Sequence, residues 1–149
     1  MTALTVTVAL LTASINALAG GLGAWRFHQV STSRAFWLLL RAGQAAAVAL
    51  ALLVGVLAAT GNRPRDDLFY LYALLPLAVG FIGEQLRVAS AQTVLDALGL
   101  QDARAVGERP EAEQRSIVTA ILRREMGVMT LVALVVCFME LRAAGTAGF

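Results

Sequence analysis

Long apolar runs separated by short polar stretches dominate the pattern of this sequence. The first run extends from about residue 3 to 25, the second from about 36 to 60 and the third from about 67 to 87. A fourth helix is predicted over about 110–143. Since a helix needs roughly 20 predominantly apolar residues to cross a bilayer, we predict an all-α fold. The whole chain would be one membrane domain, a bundle of four transmembrane helices.

The third and fourth helices are predicted to continue beyond the membrane as a helical hairpin. Leu95 and Leu98 lie near one helical face, so the third helix would continue to about residue 98. Gly99 is a typical helix stop, and Pro110 suits the first turn of the next helix. The loop at about 99–109 would then be the tip of a cytoplasmic hairpin.

The composition agrees with a multi-pass membrane protein. Hydrophobic residues make up 58% of the chain and charged residues only 15%, whereas about a quarter of the residues in a soluble domain are charged. A net charge of +2 is too small to indicate nucleic-acid binding. One cysteine and one histidine exclude an internal disulfide and argue against a metal or haem site built from several histidines. We therefore predict no metal site, and the sequence leaves any other cofactor open.

The arginines indicate the orientation. All 12 basic residues are arginine, which is typical of a GC-rich bacterial genome and suggests the bacterial inner membrane. Eight of them belong to the first and third loops or their borders: Arg26, Arg34, Arg87, Arg104, Arg109, Arg115, Arg123 and Arg124. Because basic loops stay in the cytoplasm, both termini are predicted outside.

Small residues recur at every fourth position in the first two helices. They are Thr5, Ala9, Ala13, Ala17 and Gly21 in the first helix, and Gly43, Ala47, Ala51, Gly55 and Ala59 in the second. Small residues let backbones approach closely, so we predict that these stripes pack helix one on helix two. A homo-oligomer interface is the alternative. Asn16, in mid-helix, needs a partner in hydrocarbon, either an interhelical hydrogen bond or a ligand.

Charged residues interrupt the third and fourth helices before either run is long enough to cross. The apolar run 68–83 is too short for a comfortable span, so the third crossing must include Glu84 and Arg87. The fourth run, 126–139, must borrow residues at one of its ends. We predict an ionic cluster at the inner leaflet, and its members are Arg41, Gln44, Glu84, Arg87, Arg123, Arg124 and Glu125.

Two interpretations of this cluster stay open. In the first, its pairs fix helix register, as paired intramembrane charges often do; the expected pairs are Glu84 with Arg41 or Arg123, and Arg87 with Glu125. Alternatively, they line a polar cavity for an anionic head group, a quinone-like ligand or an ion, and the excess of arginines favours an anion. Glu140 and Arg142 are expected to form a separate pair at the outer interface.

No catalytic motif is present, so no catalytic residue is predicted. We expect a small polytopic membrane protein that acts as a non-enzymatic accessory, scaffold or partner-binding subunit. Its partners would be the lipid bilayer and other membrane subunits or a second copy of the chain. The alternatives are an oligomeric transporter or channel with the Arg/Glu site, and a small membrane enzyme acting on an anionic lipid or quinone-like substrate.

Overall fold

The fold is all-α, as predicted. The structure is a computed structural model that describes residues 2–64 and 66–147, and within these ranges it contains no strand. The helices are α1 (Thr2–His28), α2 (Arg34–Ala59), α3 (Leu68–Ala97), α4 (Ala103–Gly107) and α5 (Glu111–Thr146). Four of them, all except the short α4, are long and apolar enough to span a membrane, which indicates a membrane protein.

Local signals in the sequence explain where the helices begin and end. The hydroxyl of Ser33 accepts a hydrogen bond from the Phe36 amide at 3.3 Å and so caps the start of α2. Gly61 and Gly99, which follow α2 and α3, have φ values of +81° and +68°. This left-handed conformation favours glycine and ends both helices. Asp102 caps α4 by accepting from two backbone amides.

The four long helices form a bundle in which sequence neighbours are antiparallel. α5 packs closely on both α1 and α3, and α1 packs on α2, whereas α2 meets α3 over a short stretch only. Glycines permit the close approaches: a Cβ added at Gly83 would lie 2.5 Å from Val132 of α5. The loose α2–α3 seam leaves a cleft, the α2–α3 cleft. The end of the bundle from which α3 continues to α4 is called the hairpin side below.

Apolar side chains form two layers in the bundle and a small core in the hairpin. The layer nearer the hairpin contains Ala19, Phe36, Leu40, Met126, Met129 and Ala133. The opposite layer contains Ala9, Leu50, Val54, Phe69, Ala73, Ala143 and Ala147. The hairpin core contains Leu95, Leu100, Val106 and Ile117. These layers position the polar residues described below.

The small-residue stripes pack only in part within the chain. Ala13 is buried, and so are Gly43 and Ala47, whereas Ala51 is half-buried. Ala17, Gly21 and Gly55 lie exposed, outside these intramolecular contacts. The physical reason is the helical period: residues four apart rotate by about 40° at each step, so a strict four-residue stripe leaves the packed face.

Asn16 lies at the contact between α1 and α2, but the hydrogen bond it makes is within its own helix. Its amide Nδ2 donates to the Thr12 carbonyl at 3.0 Å, instead of to a neighbouring helix as one interpretation expected. A Cβ added at Gly43 would lie 2.6 Å from Asn16 Oδ1, so the two helices are in close contact here. Glycine at position 43 therefore makes room for the buried amide.

Candidate functional site

Glu84 is the centre of a charge cluster that joins three helices on the hairpin side. Its Oε1 accepts hydrogen bonds from Arg41 Nη1 at 2.7 Å and Gln44 Nε2 at 3.1 Å, both from α2. Its Oε2 accepts from Arg87 Nε at 2.9 Å, one turn along α3. Arg87 Nη1 also lies 3.5 Å from Glu125 Oε2 of α5. We call these five residues the Glu84 cluster.

The Glu84 cluster is balanced in charge, and both carboxylate oxygens of Glu84 accept hydrogen bonds within it. It contains two guanidinium groups and two carboxylates, and both oxygens of Glu84 are occupied. Arg41 Nη1 also donates to Gln44 Oε1 at 2.7 Å. The side chain of Glu84 is 26% exposed and that of Glu125 is 15% exposed. Such a half-buried, neutral network links α2, α3 and α5, and it leaves no carboxylate oxygen of Glu84 free for acid–base chemistry.

Two of the predicted cluster members lie elsewhere. Of the two partners predicted for Glu84, Arg41 forms the pair, while the Arg123 guanidinium lies 5.0 Å from the centre of the Phe27 ring on α1. Arg123 and Arg124 line a groove between α1 and α5. Successive residues on a helix point about 100° apart, so Glu125 turns towards α3 while the two preceding arginines do not. Run lengths in the sequence give depth along the helix but not this direction.

The α2–α3 cleft contains a cavity of about 230 Å³ next to the Glu84 cluster. Its polar lining consists of Gln44 and Glu84 at one end and Asn16 from α1. The apolar lining includes Leu40, Ala47, Pro76, Gly80, Phe81 and Val136. A cavity of this kind can hold a small apolar group with one polar end directed at Gln44 and Glu84.

Glu140 is a candidate site residue that sequence reasoning placed wrongly. We expected an outer-interface pair with Arg142, but Glu140 is 0% exposed and neither carboxylate oxygen has a hydrogen-bond partner. Arg142 instead lies 5.5 Å from the centre of the Tyr72 ring. Residues two apart on a helix face nearly opposite directions. The missed signal was the spacing of Ala133, Val136, Glu140 and Ala143, which places Glu140 on the buried face.

The level of the bundle at which Glu140 lies contains two backbone carbonyls that accept from side chains and one that lacks its usual helical donor. The antiparallel contacts of Gly20 with Leu134 and of Gly83 with Val132 place Glu140 level with residues 12–16 of α1 and 72–76 of α3. The Thr12 hydroxyl donates to the carbonyl of its own helix at Val8, at 2.9 Å.

On α3, the proline at position 76 has no amide hydrogen, so the carbonyl four residues earlier lacks its usual helical donor. At this level the Thr12 hydroxyl and the Asn16 amide thus donate to backbone carbonyls, while neither oxygen of the Glu140 carboxylate has a partner.

The remaining reactive groups do not assemble into a further centre. Within residues 2–64 and 66–147, no group of three or more His, Cys, Asp and Glu side chains is placed to hold a metal ion. Cys137 is a free, half-buried cysteine on α5.

Comparison with known proteins found no matching family model, no matching curated protein and no matching solved structure. The arguments for function therefore depend on the geometry described above. That geometry offers three features: the neutral Glu84 cluster beside the α2–α3 cleft, the unpartnered Glu140, and the exposed small residues of α1.

Proposed function

We propose that this protein is a non-enzymatic membrane subunit that binds another membrane protein, or a second copy of itself, through one face of α1. It would lie in a bacterial inner membrane with both termini outside, as the arginine distribution predicts. The observation that carries the proposal is a set of exposed small residues at spacings of three, four and three. We call Ser14, Ala17, Gly21 and Ala24 the α1 outer face.

The exposed surface of α1 has two different halves. Beside the α1 outer face, the same helix exposes the bulky side chains of Leu4, Leu11, Leu18 and Trp25. Bulky apolar side chains suit contact with lipid tails, whereas small residues let a second helix approach closely enough for van der Waals packing. A Cβ added at Gly21 would meet no atom within 4 Å. The chain itself therefore makes no use of this close-approach position.

The internal pairing of the Glu84 cluster supports the same proposal. Each guanidinium group of the cluster has a carboxylate partner, so the cluster holds three helices in register and needs no external ion. This favours a structural role for the charged residues and supports the proposal that partner binding uses the apolar surface.

Native mass spectrometry of the gently extracted full chain tests the proposal. We expect a complex with another membrane protein or a homo-oligomer, which Gly21→Leu disrupts because a large side chain blocks the close approach. Gly55→Leu is the matched control, since Gly55 is also exposed and open but lies on α2. A monomer without partners, or equal disruption by both variants, would contradict the proposal.

A cation transporter is the second candidate, and Glu140 is the observation that favours it. Buried ionisable residues in transmembrane helices commonly mark ion pathways, and carbonyls freed at helix breaks commonly coordinate the coupling cation. Val136, one turn before Glu140, lines the α2–α3 cleft. The cleft would connect the buried carboxylate to the hairpin side.

Flux of Na⁺ or H⁺ from proteoliposomes tests the transporter candidate. Glu140→Gln should abolish the flux, while Glu113→Gln, which changes an exposed glutamate of the same helix, should leave it intact. Flux that survives Glu140→Gln would exclude this candidate. The enzymatic alternative remains an untested prediction.

A further inference from the structure

The groove between α1 and α5 combines apolar walls with two arginine side chains. It encloses about 760 Å³, and its apolar walls include Phe27 from α1 together with Gly127, Leu131 and Leu134 from α5. Arg123, Arg124 and His28 lie at its hairpin-side end. We call it the α1–α5 groove. Val94 of α3 also lines it.

Its charge distinguishes this groove from the α2–α3 cleft. No aspartate or glutamate lines it, and within the described residues neither Arg123 nor Arg124 forms one of the ion pairs shorter than 4.0 Å. The arginines at positions 41 and 87, by contrast, both contact Glu84. The Glu84 cluster is therefore neutralised internally, whereas this groove presents two unpaired guanidinium groups beside an apolar channel.

One of the two unpaired arginines, Arg123, is held in place by an aromatic ring. The Arg123 guanidinium lies over the Phe27 ring, a cation–π geometry that orients the group without neutralising it. The Phe27 ring in turn packs against Gly127, where an added Cβ would lie 2.9 Å from the ring edge. The Phe27 ring thus contacts both the cationic end and the apolar channel of the groove.

We infer that the α1–α5 groove binds an anionic phospholipid. The phosphate would be bound by Arg123 and Arg124, because guanidinium groups match phosphate oxygens in bidentate geometry. One acyl chain would lie along the channel between Gly127 and Leu134, a distance of about 10 Å at the helical rise. Basic pockets between transmembrane helices on the cytoplasmic side bind anionic head groups. Ala24 belongs to both the α1 outer face and the groove lining, but the inference rests on Arg123 and Arg124, which lie outside that face.

The size and polarity of the groove favour an anionic phospholipid over a free phosphate ion or a zwitterionic lipid. A free phosphate ion would occupy the cationic end only and leave the apolar walls in contact with water or detergent. A zwitterionic lipid would fill the channel but bring no net negative charge to the two arginines. An anionic phospholipid satisfies both ends of the groove at once.

Lipid binding to the delipidated full chain, measured by native mass spectrometry, tests the inference. The probes are phosphatidylglycerol, phosphatidylcholine with the same acyl chains, and inorganic phosphate. The unmodified protein should bind phosphatidylglycerol more tightly than phosphatidylcholine. The double variant Arg123→Ala/Arg124→Ala should bind phosphatidylglycerol about 25-fold more weakly, since each arginine near a membrane surface contributes about fivefold.

Two further variants separate the groove from general charge effects and from misfolding. The double variant Arg104→Ala/Arg115→Ala removes the same charge from the exposed hairpin and should bind phosphatidylglycerol as the unmodified protein does. Arg123→Lys/Arg124→Lys keeps the charge but loses the bidentate guanidinium geometry, so it should recover only part of the affinity.

Three results would each overturn the inference. They are equal affinities for the two lipids, equal weakening by the groove and hairpin double variants, and displacement of phosphatidylglycerol by inorganic phosphate at the same concentration.

Discussion

Replacing Glu140 by leucine should stabilise this protein. The side chain is fully buried, and both of its carboxylate oxygens lack a hydrogen-bond partner. Most mutations of fully buried residues destabilise a fold, so the opposite sign makes this a demanding test. We expect this sign because burying an unpaired carboxylate costs more stability than replacing it with leucine.

The expected gain follows from the burial and the missing partners. A buried polar group without a partner costs about 1–3 kcal/mol, and a buried carboxylate charge would cost more. Leucine is close to glutamate in size and adds no polar atom, so it removes this cost without a large cavity. We therefore expect Glu140→Leu to raise the free energy of unfolding by about 1–3 kcal/mol. Glu140→Gln keeps two polar atoms at the site and should gain less.

The apparent melting temperature of the purified chain in detergent measures the effect. Glu113→Leu is the control: the Glu113 side chain is 55% exposed and forms only an i,i+4 ion pair with Arg109, so its removal should change stability little. A melting temperature for Glu140→Leu below that of the unmodified protein would refute the reasoning. Glu140 would then have a partner in solution, such as a bound cation or water.

Two further predictions concern the packing of α3. Glu84→Leu leaves Arg41 without its carboxylate partner and Arg87 with only one. Because the cluster is half-buried, we expect the free energy of unfolding to fall by about 1–2 kcal/mol, measured by thermal unfolding. A loss no larger than that of Glu113→Leu would show that the cluster does not stabilise the bundle. Gly83→Ala should lower the melting temperature, because the added Cβ would lie 2.5 Å from Val132. At Gly80 an added Cβ would meet no atom within 4 Å. Gly80→Ala should therefore raise the free energy of unfolding by about 0.5–1 kcal/mol through helix propensity. Equal effects of the two alanines would contradict the close α3–α5 contact.

The sequence predicts features that depend on position along a helix. Run lengths predict four long apolar helices, and Gly99 predicts the end of α3, because these signals are local. The same depth argument brings Glu84 to the level of Arg41 and Arg87 to the level of Glu125, and the structure contains both pairs. Depth is set by the rise per residue, which is nearly constant in any helix.

The sequence does not predict which way each side chain faces. That direction depends on which helices are neighbours, and the sequence alone does not determine how α5 lies against α1 and α3. Arg123 therefore faces Phe27 instead of Glu84, and Ala17 and Gly21 lie exposed although a regular stripe includes them. For Glu140 the spacing of its apolar neighbours was informative, but a carboxylate near a helix end suggests the interface more readily than the core.

Glu140 is also the residue that best separates the two candidate functions. Proteins retain costly buried polar groups mainly at functional sites, where stability is exchanged for activity. If Glu140→Leu raises the melting temperature and abolishes ion flux, the carboxylate is retained for transport. If the variant is more stable and still forms the complex that Gly21→Leu disrupts, the α1 outer face acts independently of the bundle interior. We therefore expect measurements of stability, flux and assembly on this one variant to show whether the buried carboxylate serves transport, assembly or neither.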